Sequence, residues 1–108
     1  MVYKVNMSSM TIRIQFVKIP TSETMSNYAT KKLEKLAAKF PWVINAEVYF
    51  KVADTASGTV HSCEIELSAP GPRLFAGSTE KNYELAVKNT ISDLQKQLKK
   101  RKATFTAH

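Results

Sequence analysis

The residues in this chain whose types and spacing could do chemistry are lysines. Lys31, Lys32, Lys35 and Lys39 stand three, four or seven residues apart, the intervals that bring side chains onto one side of a helix. Lys81, Lys88, Ser92, Gln95, Lys99 and Lys102 fall within a narrow band at about 100° per residue, and Lys96, Lys100 and Arg101 widen it toward the C-terminus. Glu34 interrupts the first row away from its centre, and no acidic residue follows Asp93. Rows of ammonium groups bind polyanions by neutralising phosphates and releasing their counterions. With about five phosphates engaged, log affinity should fall against log salt with a slope of about −3.5 to −4.5. The plain alternative is a solvated helix surface with favourable charge near a helix C-terminus. Two such rows, with the acids displaced from both, favour the polyanion.

Other constellations carry less. His61 and Cys63 share a strand face, but a zinc site needs further ligands, and His108 near the end of the chain is the only other histidine. A Cys–His nucleophile fails for want of an orienting carboxylate. Glu47, Glu64 and Glu66 read as the wet face of a sheet rather than an acid/base pair, which would need burial and opposed pKa shifts. Gly58, Gly71 and Gly77 are isolated, so no glycine-rich phosphate loop exists. No catalytic residue, metal site, cofactor or small-molecule substrate is expected. Trp42 is assigned to packing at a helix–sheet junction. Tyr28 and Tyr83 are assigned to the core, and Tyr49 and Phe75 to the sheet's outer face.

These residues need a scaffold, and 108 residues suffice for one domain near the lower limit of a self-sufficient core. The hydrophobic fraction of 44% is too high for a disordered chain. A formal charge of +7, from 16 basic and 9 acidic residues, points to nucleic acid first and an anionic membrane surface second. Cys63 is the single cysteine, so an internal disulfide is impossible and a reducing, cytoplasmic location is expected. No run is apolar enough to span a bilayer, and residues 1–10 lack the apolar stretch of a signal peptide. They read as a flexible extension, with Met10 an alternative start.

Periodicity supplies the elements. Thr11–Lys18 alternates as a half-buried strand, with Ile12, Ile14 and Phe16 on one face. Ser22-Glu23 after Pro20 opens a helix whose stripe is Met25, Tyr28, Ala29, Leu33, Leu36, Ala37 and Phe40, ended by Pro41. A second strand points Ala46, Val48, Phe50 and Val52 inward, and Asp54–Thr59 makes a polar turn. A third strand, Val60–Ser68, places His61, Cys63, Ile65 and Leu67 on one face. Pro70-Gly71 suits a tight type II turn. Arg73–Ser78 forms a fourth strand with Leu74 and Ala76 inward. Ser78 or Thr79 caps a last helix with Tyr83, Val87, Ile91, Leu94 and Leu98 as its stripe. That helix fades after Lys102, leaving 103–108 as a loose tail. The fold class is therefore α+β in the order β-α-β-β-β-α: a four-stranded mixed sheet with both helices, antiparallel or splayed, on one face. The first crossover joins neighbouring parallel strands, right-handed.

In this order the residues resemble a known family, the ribosome hibernation promoting factors and ribosome-associated inhibitors, also called sigma-54 modulation proteins. The likeness runs from about Thr11 to Lys102. It rests on Ser22-Glu23, Lys32-Leu33-Glu34-Lys35-Leu36, Phe40, Phe50-Lys51-Val52 and the run from Leu94 to Lys102. It implies a double-stranded-RNA-binding-domain-like fold whose basic helices grip small-subunit ribosomal RNA. It also implies occupancy of the messenger- and transfer-RNA channel, blocking translation under stress or in stationary phase. By motif position Lys32, Lys35, Lys96, Lys100 and Lys102 match the family's RNA-facing residues. Lys31, Lys39, Lys88 and Lys99 are added by helical geometry, and Arg101 by its place in the basic band. The chain departs from the family pattern at Asn82-Tyr83-Glu84, Lys88 and Asp93, and is expected to lack the further C-terminal domain of long members.

The resulting expectation is a non-enzymatic translation inhibitor, monomeric when free, whose partner is the small ribosomal subunit and its RNA rather than a membrane. The alternative is a general double-stranded-RNA-binding module with no preference for ribosomes.

Overall fold

In the computed structural model, residues 2–7 are described by their backbone and residues 10–105 in full. The period-two segment forms β2 (Met10–Phe16), whose Met10, Ile12, Ile14 and Phe16 are buried while Arg13 is exposed. Helix α1 (Glu23–Lys39) begins where Ser22, in an extended conformation, accepts a hydrogen bond on its hydroxyl from the Met25 N–H at 3.3 Å. This satisfies one of the free N–H groups of the first turn. It ends at Phe40, whose N–H still reaches the Leu36 carbonyl at 3.0 Å; Pro41 has no N–H with which to continue the ladder. Strands β3 (Asn45–Thr55) and β4 (Gly58–Ser68) form a long hairpin, and β5 (Leu74–Glu80) follows before α2 (Tyr83–Phe105).

The four expected strands form a mixed sheet with the two helices packed on it. The pairing is β2–β3 parallel, then β3–β4 and β4–β5 antiparallel. The core lies between sheet and helices. Phe50, Ile12, Ile14, Ile65 and Leu67 from the strands and Leu33, Leu94 and Leu98 from the helices are all fully buried, each contributing about 1.5–3 kcal/mol of apolar transfer. Thr90 ties α2 to the sheet, its hydroxyl lying 2.7 Å from the Ala86 carbonyl and 3.2 Å from that of Cys63. Cys63 itself is fully buried, and that burial pushes its thiol pKa up to about 12.

Several details differ from the sequence expectation. Residues 2–7, read as part of an extension, form β1 (Val2–Met7), antiparallel to β2 in the register Val2↔Gln15 to Met7↔Met10. The segment is short and lacks clean alternation, so its pattern is silent; its pairing covers what would otherwise be the open edge of β2. The sheet order is thus β1-β2-β3-β4-β5. The start of α2 is set by Asn82, whose side-chain oxygen accepts from the Leu85 N–H at 2.8 Å. Ser78 and Thr79 remain in β5, where the ladder continues through Thr79↔Ser62 and Glu80↔His61. Val52 is 39% exposed because the β3–β4 ladder runs on to Thr55↔Gly58, past the cover of the helices. The last helix continues three residues beyond Lys102, to Phe105; residues 106–108 lie outside the described residues.

The helices are neither antiparallel nor splayed: they run side by side in the same sense. Strand β5 runs with β2, as the parallel and two antiparallel pairings require. Each of these strands is followed by a helix returning over the same face. Thr24 and Met25 consequently share a depression with Asn82–Glu84 at one end. Lys39 and Phe40 meet Lys99 and Lys102 at the other.

Candidate nucleic-acid interface

Because α1 and α2 are parallel, one flank of each faces the other across a groove. Its middle is a depression of about 180 Å³ lined by Lys32, Lys35, Leu36 and Lys39 from α1 and by Ile91 and Gln95 from α2. It opens into a wider hollow of about 430 Å³ lined by Lys39, Phe40, Lys99, Lys102 and Ala103. Leu36, Ile91 and Phe40 make the floor. The walls are long aliphatic stems that end in ammonium groups, which hold their charge toward water. Lys35, Lys39, Lys99 and Lys102 are exposed and Lys32 is half-buried, its ammonium 5.4 Å from the centre of the Tyr28 ring.

Five of the ten candidate residues thus converge: Lys32, Lys35, Lys39, Lys99 and Lys102. Lys88, also exposed, stands seven residues before Gln95 and so on the same side of α2. Lys31 lies on the outward surface of α1, and Lys96 and Lys100 on the outward surface of α2 away from the groove, by the same helical spacing; all three are exposed. Glu34 and Asp93 fall on the flanks that face away from the groove, so neither cancels the charge inside it.

Arg101 does not join them. Its guanidinium donates from Nη1 to the carbonyls of Pro72 at 2.6 Å and Pro70 at 3.2 Å. Residues 69–73 form a longer connection than the tight turn expected, and Gly71 takes φ +97° beneath the guanidinium, where an added Cβ would come within 3.3 Å of Nη1. Arg101 therefore fastens the β4–β5 connection to α2. Helical spacing puts it in the basic band, but only the tertiary position of that connection reveals its partner.

The sheet's opposite face is balanced. Arg13 pairs with Glu47 at 3.7 Å, Lys51 with Glu64 at 3.0 Å and Arg73 with Glu66 at 3.2 Å. Tyr49, between these rungs, donates to Glu47 at 3.5 Å; its pKa is raised by desolvation and by the nearby Glu47 and Glu66 carboxylates. The carboxylates here stand opposite basic partners rather than as a buried acid/base pair. The excess positive charge lies with the helices.

The aromatic residues sort as follows. Tyr28 and Tyr83 are partly buried against the core, and Tyr83 donates to the Lys51 carbonyl at 3.3 Å, with burial raising its pKa. His61 packs on Tyr83 with ring centres 4.3 Å apart. Trp42 lies edge-to-face between Phe40, at 5.9 Å, and Phe105, at 4.9 Å. It fills the junction as expected, but with a partner, Phe105, from the end of α2, beyond the boundary that the sequence predicts at Lys102. Among the described residues no three His, Cys, Asp or Glu side chains cluster in a way that could hold a metal ion. No described helix is long and apolar enough to cross a membrane.

A mixed sheet backed by two parallel helices, with the unbalanced cations on the helical side, defines the class: an α+β domain with one basic surface. The particular family follows from comparison. Residues 12–105 match the model described as sigma 54 modulation protein / S30EA ribosomal protein, and the chain belongs to that family. Among solved structures, it is similar to a ribosomal subunit interface protein from Coxiella burnetii, with TM-score 0.76 and 18% identity over 85% of this chain and 97% of that one. It is also similar to the N-terminal domain of Thermus thermophilus Protein Y, with TM-score 0.70 and 18% identity over 81% of this chain and 92% of that one. At such identities the likeness is one of fold. A search of the curated proteins gives no match.

Proposed function

We propose that this protein is a ribosome-associated translation inhibitor that binds small-subunit ribosomal RNA through its helical layer and acts by occupancy, without bond chemistry. The observation that carries the reading is the groove in which Lys32, Lys35, Lys39, Lys99 and Lys102 converge, in a chain of the sigma 54 modulation / S30EA family. Lys88 extends the row toward the N-terminal end of α2, and Lys31, Lys96 and Lys100 broaden the basic surface around it. Occupancy of the messenger- and transfer-RNA channel is the mode the family resemblance implies, and a cytoplasmic location follows from the partner.

Physically, the ammonium groups are mobile point charges on flexible stems, suited to an irregular phosphate surface rather than to one fixed anion. Binding is accordingly steep in salt. The test is co-sedimentation of the protein with purified small subunits over a range of potassium chloride, with transfer RNA or an RNA duplex as competitor. Association that weakens with salt and yields to transfer RNA supports the reading. Equal affinity for a plain duplex would make the protein a general double-stranded-RNA binder, and binding that persists in high salt would refute both.

A further inference from the structure

Where the two helices begin, at the end of the groove opposite the hollow, the lining changes character. A depression of about 230 Å³ opens between them, with buried Val87 beneath, half-buried Met25, Tyr28 and Tyr83 as its walls, and exposed Asn82 and Glu84 at its rim. No lysine stands in this lining. Tyr83 is fixed from the core side: its ring meets Phe50 at 5.4 Å and His61 at 4.3 Å, both edge-to-face, and its hydroxyl donates to the Lys51 carbonyl at 3.3 Å. The depression is therefore preformed. It is smaller than the roughly 300–1,000 Å³ of a site for a drug-sized molecule, and suits a single ring system.

A direct contact joins this depression to the cationic groove. Tyr28 lines the one, Lys32 a turn later lines the other, and the Lys32 ammonium lies 5.4 Å from the centre of the Tyr28 ring. A phosphate held by Lys32 thus leaves the base of the same nucleotide beside the mouth of the depression. The occupant is not a cation, since Lys32 already stands over Tyr28 and both helices turn the positive ends of their dipoles this way. Nor is it a phosphate, since the walls are apolar and the one charged residue in the lining is Glu84. A flat, neutral group with a polar edge meets both conditions.

Building on the RNA-binding reading above, we infer that this depression receives one unpaired base of an RNA strand whose adjoining phosphate rests on Lys32. A base enters only when splayed away from its neighbours, so the site selects a loop, a bulge or a strand end. A duplex cannot offer one without opening. Lysines alone bind phosphates whatever the state of the strand; the depression adds the preference they lack.

The test uses the full chain at low salt with three probes: a short strand of abasic ribose phosphates, the same strand with a single adenine at its centre, and adenosine monophosphate. Met25, in the lining, is one of four methionines in the chain, so isotope-labelled methionine methyls report the site by nuclear magnetic resonance, with Met25→Leu assigning the signal. The expected result is that the adenine strand binds roughly 5- to 150-fold more tightly than the abasic strand, the range for stacking one base, and shifts the Met25 methyl, which the abasic strand leaves in place. Tyr28→Leu, which keeps an apolar group against the core, is expected to bind both strands alike; thermal unfolding checks its fold, and the comparison of strands on the unsubstituted protein stands without it. Equal affinity of that protein for the two strands, or a Met25 methyl unmoved at saturation with the adenine strand, would overturn the inference. Adenosine monophosphate binding as tightly as the adenine strand would also overturn it, in favour of a free-nucleotide site. Should neither strand bind at low salt, the polyanion reading of the groove falls and takes the inference with it; should both bind equally, the inference alone falls.

Discussion

Replacing Lys35, Lys39 and Lys99 by glutamine removes three ammonium groups from the two walls of the groove. Replacing Arg13, Lys51 and Arg73 by glutamine removes the same charge from the opposite face, where each is paired with a glutamate. Both variants lower the formal charge of +7 by the same amount, so the comparison isolates position from quantity. Each phosphate contact contributes about 0.7–0.9 to the salt slope. Three lost contacts should make it shallower by about 2.1–2.7, which at 0.1 M salt is a loss of roughly 130- to 500-fold in affinity for the small subunit. The sheet-face variant should lose less than about fivefold, through weakened long-range attraction alone, since more distant exposed charges are largely screened beyond a Debye length of about 10 Å. Stability is not the issue in either case. The groove lysines are exposed, and the last-turn position of Lys39 contributes only about 0.3–1 kcal/mol to its helix. The assay is subunit binding followed at several salt concentrations, with thermal unfolding of each variant as the check on folding. Equal losses in the two variants would refute the reasoning, because binding would then follow net charge rather than a surface.

Two further outcomes follow from side chains outside the groove walls. Arg101→Met should destabilise the fold by about 1–2 kcal/mol in chemical denaturation, since two carbonyls of the β4–β5 connection lose a charged donor, while the salt slope of RNA binding stays unchanged; a fall in that slope by about 0.7–0.9 would instead assign Arg101 a phosphate. Cys63, protonated in the fold until about pH 12 against an ordinary value of 9.0, should leave stability untouched below pH 9 and erode it between the two values, where the unfolded chain alone releases the proton. The erosion is at most about 1.4 kcal/mol per pH unit. It should be absent in Cys63→Ala, and parallel stability curves for the two proteins across that range would contradict it.

Much of the fold is legible in the sequence because its signals are local. Alternation in β2 and β4, the Ser22 cap and the Pro41 stop each need only a few neighbouring residues to be read. The positions of charge along α1 and α2 follow equally from helical geometry. What escapes is set by contacts distant in the chain. Val2–Met7 has no clean alternation, and its strand exists through pairing with β2. Asn82 prevails over Ser78 and Thr79 as the start of α2 because β4 extends far enough to keep both in the ladder. The relative direction of the helices is a matter of topology: both follow strands that run the same way. That single fact decides which lysines meet. Lys32, Lys35 and Lys39 gain Lys99 and Lys102 as neighbours, while Arg101 turns to a loop thirty residues earlier in the chain. Phe105 was hidden for a different reason, since a lone aromatic beyond the last basic cluster carries no period.

The common direction of the two helices also gives the molecule a front and a back. Glu23 and Glu84 occupy the first turns of α1 and α2, and Lys39 and Lys102 the last turns. Over the roughly 25 Å of a 17-residue helix this is a lengthwise separation of charge. In the field of a large polyanion such a body turns before it touches, cationic tip leading. Fewer collisions are then wasted in the wrong attitude.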